Sequence, residues 1–360
     1  MKENAKKAED VTARGERIRK MTQALVPWYL ASARPLPWRE DTAPYHVWLS
    51  EIMLQQTRIE TVIPYYQRFL REIPDVAALA AADPEHLRKL WEGLGYYSRV
   101  RNLQTAAGQI MTRFGGRFPE TYEEIRSLCG IGDYSAGAIA SICFDLPTPA
   151  VDGNVLRVLA RINRDGRPIT DEKLKKSVRE ELAAAYPAQN RGACTQAIME
   201  LGERVCLPGG VPDCAHCPCR DFCGSADGDF VIYPVRAEKK SRRTEQLTVF
   251  LLRAGEKIAL RKRPPRGLLS DLWEFPNCAG HLTEEQAFQT VAAWGCAPTE
   301  VRDCGEVRHI FTHVEWEMRV CAVICASESP DFVWADEDEL STRYALPTAF
   351  RKAMNPECKL

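Results

Sequence analysis

Apolar side chains recur at three- and four-residue intervals through the first half of the chain, which is the spacing of an amphipathic helix. The clearest stretch is residues 45–72, where Ile52, Ile59, Ile63 and Tyr66 follow this spacing. Similar patterns predict further helices over residues 13–33, residues 99–114, a run after Asp152, and residues 170–203.

The pattern changes after residue 245. Short runs rich in β-branched and aromatic residues predict strands, and a separate amphipathic run predicts one helix. The predicted strands are residues 247–252, 257–262, 307–313 and 316–325, and the predicted helix is residues 284–294. This part of the chain therefore reads as an α+β domain with a mixed sheet.

These patterns divide the chain into segments. Residues 1–11 are polar, and we expect them to be disordered. Residues 12–224 form a mainly helical region, residues 225–245 a linker, and residues 246–353 a second domain. A length of 360 residues suits such a multidomain arrangement.

Composition narrows the choice of partners. The formal net charge is −1, so any case for nucleic acid must rest on local patches. One such patch runs from Arg236 to Arg266, with eleven Lys or Arg against three Glu. No apolar run approaches the ~18 residues that a membrane span needs, and no signal peptide is recognisable. We therefore expect no membrane partner and a reducing cytoplasm, where clustered cysteines more often bind metal than form disulfides.

Five of the 14 cysteines lie within one short stretch. Cys206, Cys214, Cys217 and Cys223 are separated by seven, two and five residues, and Cys219 lies among them as a spare thiol. Thiols this close in sequence converge on one centre. Spacing alone leaves open zinc, a pair of disulfides, or an iron–sulfur cluster.

A glycine pair marks a turn in the middle of the helical region. Gly130 and Gly132 suit a tight turn that needs a positive φ or a close backbone approach. The N–H groups of Gly132, Asp133 and Tyr134 open the next helix and can point at an anion such as a phosphate. Residues 127–154, including Asp152 at their end, resemble the helix-hairpin-helix element of base-excision DNA glycosylases.

Residues 48–57 carry the candidate acid. Glu51 stands beside an apolar stripe, and such an environment raises the pKa of a carboxylic acid, as general-acid catalysis requires. An ordinary helix-face glutamate is the alternative. The whole decamer resembles the motif that supplies the catalytic glutamate of the MutY adenine glycosylases, and this favours Glu51 as the acid.

The resemblance implies roles for other residues of the helical region. Gln56 and Tyr96 would enter the base stack and hold open the gap left by an extruded nucleotide. Tyr134 stands where strand-cutting relatives carry a lysine nucleophile, which implies a monofunctional enzyme.

The other carboxylate of the helical region is Asp152. As a helix cap it would stay ionised and stabilise an oxocarbenium ion at the sugar. Asn154 would orient the substrate or the two carboxylates. Arg39 follows two prolines in an extended loop and would pair with a backbone phosphate, although an ordinary surface arginine fits that pattern equally well. The cysteine pattern resembles the 4Fe–4S loop of this superfamily, and one such cluster is implied.

The second domain resembles a Nudix-type fold at residues 263–276, but the acidic helix that holds Mg²⁺ in Nudix hydrolases is missing. We therefore expect it to bind and not to hydrolyse. Phe311, Thr312 and His313 resemble the Phe-Ser-His loop with which MutY proteins recognise 8-oxoguanine. The Thr312 hydroxyl would accept a hydrogen bond from N7–H, which guanine lacks.

Together these motifs identify the chain as a member of the MutY family by resemblance. The implied activity is removal of adenine mispaired with 8-oxoguanine or guanine in duplex DNA, by a retaining type of N-glycosidic hydrolysis. We expect a monomer that acts in the cytoplasm of a bacterial-type cell, on the nucleoid. The alternatives are an oxidised-pyrimidine glycosylase with lyase activity, a non-catalytic DNA-binding module with a zinc loop, and a Nudix hydrolase.

Overall fold

The computed structural model describes residues 2–236 and 241–354, and the chain divides into two compact units. The helical unit comprises Met1–Ala80 and Asn102–Glu238. The sheet unit comprises Ala81–Arg101 and Lys239–Leu360. The division falls inside the predicted linker, part of which, residues 237–240, lies outside the described residues.

The helices follow one another closely through the first 205 residues, and three more lie in the last third of the chain. In chain order they are α1 (Lys2–Ser32), α2 (Pro44–Met53), α3 (Ile59–Glu72), α4 (Val76–Ala81), α5 (Pro84–Leu90), α6 (Ser98–Arg113), α7 (Tyr122–Arg126), α8 (Asp133–Phe144), α9 (Gly153–Asn163), α10 (Glu172–Ala185), α11 (Arg191–Arg204), α12 (Glu284–Ala293), α13 (Glu337–Thr342) and α14 (Thr348–Arg351). Single 3-10 turns occur at Pro37–Arg39, Cys214–His216, Arg220–Phe222 and Asp229–Val231.

Two long predicted helices are each broken in the structure. The pattern over residues 45–72 becomes α2 and α3, because Gln56 in the connecting loop takes a left-handed φ of 57°. The pattern over residues 170–203 becomes α10 and α11, separated by Pro187 and by Asn190 at a φ of 63°. A left-handed residue cannot continue a right-handed helix, and proline cannot donate its hydrogen bond.

Helix α1 begins at Lys2, so it takes in nearly all of the stretch for which the sequence predicts disorder. Alanine, lysine and glutamate dominate that stretch, and these residues have high intrinsic helix propensity.

One hydrophobic core of the helical unit forms where α1, α9, α10 and α11 meet. Each helix contributes an apolar stripe of fully buried side chains. Its members include Ile18, Met21, Leu25, Leu156, Leu159, Val178, Leu182, Ile198 and Leu201. The cysteine-rich segment packs against the same core through Cys219, which is 1% exposed.

The sheet unit contains a seven-stranded mixed sheet, as the sequence predicts. The strands are β1 (Arg243–Ala254), β2 (Lys257–Lys262), β3 (Trp273–Glu274), β4 (Asn277–Ala279), β5 (Pro298–Ile310), β6 (Val314–Cys325) and β7 (Val333–Ala335). The spatial order is β3-β2-β1-β6-β5, with β4 on β1 and β7 on β2. Strands β1 and β6 run parallel, and the other pairs are antiparallel.

Alternate residues of β1 point to opposite faces of the sheet, and both faces are covered by helices. Val249 and Leu251 belong to the cluster that includes Phe350 of α14. Phe250 and Leu252 belong to the cluster that includes Val291 of α12. Strand β1 is therefore the buried centre of this unit.

Residues 81–101 belong to the sheet unit, although the sequence places them in the helical region. Two lysines take part in contacts between this segment and the rest of the unit. Lys89 Nζ donates to the Leu340 and Tyr344 carbonyl oxygens at 2.9 and 3.2 Å. Lys262 Nζ lies 2.6 Å from the Glu85 carboxylate. In the part of the chain that the structure describes, no helix combines the length and the apolarity needed to cross a membrane.

Candidate active site

Helix α2 buries Glu51. Pro44 lies in its first turn, where a missing N–H costs nothing, and the helix is apolar on nearly all sides. Glu51 is only 7% exposed, beside Trp48 and Ile52, which are 0% and 4% exposed. Burial raises the pKa of the Glu51 carboxyl to about 7, so the group carries a proton over much of the neutral range.

Tyr134, in the first turn of α8, reaches this carboxyl. The Tyr134 hydroxyl donates to the Met199 sulfur at 3.9 Å. Its hydrogen-bonding influence on Glu51 would on its own lower the Glu51 pKa, but burial outweighs that effect. Burial and the neighbouring carboxylates of Glu51 and Asp152 raise the pKa of the Tyr134 phenol well above its usual value. Tyr134 is therefore a hydrogen-bond donor at every pH of interest.

Asp152 caps α9, and its Oδ1 accepts from the Val155 N–H at 2.8 Å. Burial raises the pKa of Asp152, and hydrogen bonds from backbone N–H groups, including those of Val155 and Asn154, act in the opposite direction. The sequence expects the cap to hold this group ionised, so burial works against part of that expectation. The charge of Asp152 in turn raises the pKa of Glu51.

These side chains converge on one cavity of about 560 Å³ within the helical unit. Glu51, Tyr134, Asp152 and Asn154 all line it, as does Gln56. The volume lies in the range of small-ligand pockets. A proton donor and a second carboxylate thus line the same cavity.

Two predicted residues have partners inside the protein. The Arg39 guanidinium lines the cavity but lies 2.9 Å from the buried carboxylate of Glu200, and its side chain is 12% exposed. Its predicted contact with a DNA phosphate stays a prediction. Asn154 Oδ1 accepts from Arg157 at 2.8 Å.

Helix α11 supplies three cavity residues that sequence reasoning missed. Gln196, Met199 and Glu203 are spaced by three and four positions and therefore share one helix face. This spacing was available in the sequence. The cavity that the face lines was not, because it depends on how α11 packs.

The two hairpin glycines differ in the structure. Gly130 has a φ of +74°, and a Cβ built there would lie 2.6 Å from Asn102 Cβ. Gly132 is the N-cap of α8 with a φ of −89°, and a Cβ there would meet open space. Only Gly130 requires glycine for the fold itself.

The predicted wedge residues both adopt strained, left-handed backbone conformations. Gln56 has a φ of 57° in the loop after α2, and Tyr96 has a φ of 47° before α6. Both side chains are exposed, Tyr96 by 48%. Strain of this kind in a non-glycine residue often marks a functional loop.

Phe311, Thr312 and His313 form the tight turn between β5 and β6, where the Phe311 N–H donates to the Val314 carbonyl at 2.8 Å. The Phe311 ring packs edge-on to Trp316, while Thr312 and His313 are exposed. The predicted strand is therefore too long at this end, since β5 stops at Ile310. The hydroxyl oxygens of Thr312 and Tyr96 lie 2.8 Å apart.

The cysteine-rich loop encloses a second, smaller cavity. Cys206, Cys214, Cys217 and Cys223 all line it, together with Cys219. Among the described residues, no three His, Cys, Asp or Glu side chains are close enough to hold a single metal ion. A mononuclear zinc site needs sulfurs at ~2.3 Å from one ion. Cysteine thiolates are the usual ligands of iron–sulfur clusters, so the donor set fits that group.

Two parts of the chain match models of known protein families. Residues 49–184 match the model of the HhH-GPD superfamily of base excision DNA repair proteins, and residues 248–355 match that of the NUDIX domain. The structure resembles that of a thermostable thymine-DNA glycosylase, with a TM-score of 0.53 and 21% identity over 59% of this chain and 97% of that chain. That likeness confirms the fold of the helical unit.

Sequence relatives extend across both units. The adenine DNA glycosylase of Rattus norvegicus is 34% identical over 85% of this chain and 70% of the relative. The adenine DNA glycosylase of Homo sapiens is 33% identical over 91% of this chain and 72% of the relative. The chain belongs to the adenine DNA glycosylase family.

Proposed function

We propose that the protein removes adenine mispaired with 8-oxoguanine, or with guanine, from duplex DNA in base excision repair. The observation that carries this proposal is the convergence of Glu51 and Asp152 on one cavity of suitable size. Family membership supports the choice of adenine as the base.

The first chemical step is departure of the base. Adenine rotates out of the duplex into the cavity, and Glu51 donates its proton to N7 of the purine. The bond between N9 and C1′ then breaks, its electrons stay with the base, and adenine leaves neutral. A pKa of about 7 suits Glu51 to this role, since a large fraction is protonated at neutral pH.

The second step quenches the cationic sugar. The Asp152 carboxylate stabilises the oxocarbenium ion, by charge or by a transient bond to C1′. Water then attacks C1′ and gives its proton to the Glu51 carboxylate, which leaves an apurinic site and restores the acid. This is the two-carboxylate logic of retaining glycoside hydrolysis. Tyr134 holds Glu51 through its hydrogen bond and offers no amine for a Schiff base, so the DNA strand stays intact.

We assign the DNA contacts to the glycine hairpin and to the exposed residues with strained backbone conformations. The hairpin at Gly130 and Gly132 takes a phosphate at the N-terminus of α8. Gln56 and Tyr96 enter the base stack, where their exposure leaves them accessible. Asn154 orients the substrate near Asp152.

The lesion is recognised in the sheet unit by Phe311, Thr312 and His313. The hydroxyl of Thr312 accepts from N7–H of 8-oxoguanine. A hydroxyl has one donor and two acceptor sites, so Thr312 can keep its contact with Tyr96 while accepting from the lesion.

One 4Fe–4S cluster is proposed for the cysteine loop, held by Cys206, Cys214, Cys217 and Cys223. When bound, the cluster would cross-link the loop and supply no chemistry to base removal. Arg161 lies 3.2 Å from the Cys206 sulfur and would neutralise part of its thiolate charge. We further propose a monomer and action on the nucleoid of a bacterial-type cell, where the DNA substrate lies.

The test is a glycosylase assay on matched duplexes. Purified protein is incubated with labelled duplexes that pair adenine, or cytosine as a control, with 8-oxoguanine or guanine, and the product is cleaved with alkali. We expect alkali-dependent cleavage at adenine, faster opposite 8-oxoguanine, and no covalent complex on borohydride treatment. Cleavage without alkali, a trapped complex, or intact adenine strands would contradict the proposal.

A further inference from the structure

A third carboxylate faces the cavity that Glu51 and Asp152 share. Glu203 projects from the last turn of α11, and its side chain is 36% exposed. It lines the same wall as Gln196 and Met199. The reaction steps derived above make no use of it.

An arginine holds this carboxylate in place. Arg34 donates through Nη2 to Glu203 at 2.5 Å. The same guanidinium grips the fully buried Glu200 through two bonds of 2.7 and 2.8 Å. Glu200 also receives Arg39 at 2.9 Å. Because Arg34 is fixed by a buried partner, Glu203 has a defined position and not the freedom of a surface glutamate.

We propose that Glu203 is a positioning residue for the reaction, whose fixed negative charge keeps the proton on Glu51 until the base is in place. The inference rests on the proposed function, since it assigns Glu51 as the acid. It adds a residue outside the motif that carries Glu51.

Neutral, cationic and anionic side chains all face Glu51. Tyr134 and Cys143 of α8 face it as neutral groups, and the cations on the cavity wall are Arg39 and Arg58. Asp152 at the N-terminus of α9 and Glu203 of α11 are the facing anions. Both anions favour the protonated acid, and Arg39 opposes them.

Asp152 and Glu203 differ in how the reaction changes their effect. Asp152 is engaged by the cationic sugar as the bond breaks, so its charge is partly neutralised at that moment. Glu203 is anchored by Arg34 at the cavity wall and keeps its effect on Glu51 throughout the cycle. Like charges near a carboxyl favour its neutral form.

The test compares pH profiles of single-turnover adenine release for Glu203→Gln, Glu203→Asp and the wild type, with protein in saturating excess. Glu180→Gln is the matched control, since it removes one negative charge from an exposed position on α10. We expect Glu203→Gln to shift the basic limb to lower pH, so that the rate on that limb falls about two- to threefold more than the rate below pH 6. Glu203→Asp and Glu180→Gln should keep the wild-type midpoint.

A second variant strengthens the same effect. Glu203→Lys reverses the charge at a partly exposed position in the last turn of α11, where a lysine suits the helix terminus, and should move the basic limb further to lower pH than Glu203→Gln does. It also keeps the inference testable if Glu203→Gln folds poorly. An equal loss of rate at all pH values, or an unchanged profile in both variants, would overturn the role of Glu203. A wild-type protein that releases no adenine would instead overturn the proposed function.

Discussion

The Tyr134 phenol lies close enough to the Glu51 carboxyl to lower its pKa, and Asp152 lies close enough for its charge to raise the pKa of both. The three groups come from α2, the start of α8 and the N-cap of α9. The turn at Gly130 precedes the N-terminus of α8, and Asp152 caps the N-terminus of α9. Both helix termini lie beside the buried face of α2. This arrangement makes Glu51 an acid that is half protonated near neutral pH.

The raised pKa of Glu51 has a consequence for stability. The pKa of Glu51 in the folded state, about 7, lies above the ordinary value of 4.5. The contribution of this carboxyl to the free energy of unfolding is therefore fully present below pH 4.5 and is lost as the pH rises through 7. The difference corresponds to roughly 3 kcal/mol at most. Glu51→Gln should therefore raise the free energy of unfolding at pH 8 relative to wild type, and less so at pH 5.

Urea unfolding at the two pH values measures this. Glu180→Gln, an exposed change of the same charge, should show no such pH-dependent gain. If Glu51→Gln were equally stable relative to wild type at both pH values, the buried carboxyl would not carry the raised pKa.

The two hairpin glycines should respond differently to substitution. Gly130→Ala places a Cβ at a positive φ and against Asn102, and should destabilise the fold by at least ~1 kcal/mol. Gly132→Ser meets open space at an N-cap where serine is favoured, so it should leave thermal stability unchanged or higher. It should nevertheless weaken duplex binding, because the added side chain stands where a phosphate would approach. Calorimetry and a binding titration separate the two effects, and equal duplex affinity for Gly132→Ser and wild type would argue against a phosphate site there.

The β5–β6 turn should control lesion preference without controlling catalysis. Replacing Thr312 and His313 with Ala removes the hydroxyl acceptor and should lower the preference for 8-oxoguanine over guanine by about tenfold. Thr312→Ser keeps the hydroxyl and should retain the preference. Single-turnover rates on the two duplexes give the ratio. Unchanged discrimination in the double alanine variant would mean that the lesion is read elsewhere.

The cysteine loop offers a paired test of ligand identity. Cys217→Ser should lose the cluster, whereas Cys219→Ser should keep it, with about four iron atoms per chain and a brown colour. Cys219 is fully buried in the loop, so the comparison controls for packing. Iron loss in Cys219→Ser with retention in Cys217→Ser would reassign the ligand, and a colourless, zinc-loaded wild type would contradict the cluster.

Much of the site could be predicted because its chemistry is local in sequence. Glu51 lies in a ten-residue motif, Asp152 is a recognisable helix cap, and Tyr134 follows a glycine turn. The strand over Lys257–Lys262 was also predicted with its observed bounds. In each case the signal is a short pattern whose meaning does not depend on the rest of the fold.

What the sequence did not reveal depends on tertiary packing. Glu203 looks like any exposed glutamate until α11 is packed beside the cavity, and Arg39 looks free until Glu200 is buried beneath it. The grouping of residues 81–101 with the sheet unit rests on contacts such as that of Lys89 with Leu340, which no local pattern encodes. The break at Gln56 is likewise a left-handed residue that helix periodicity does not register.

The most direct test of the two-carboxylate account measures single-turnover adenine release from an adenine:8-oxoguanine duplex by Glu51→Gln and Asp152→Asn. Asparagine is as good an N-cap as aspartate, so Asp152→Asn removes the charge while keeping the start of α9. Both variants should fold and bind the duplex, and each should lose at least ~100-fold in rate. Adenine release near the wild-type rate by either variant would contradict the assignment of these two residues.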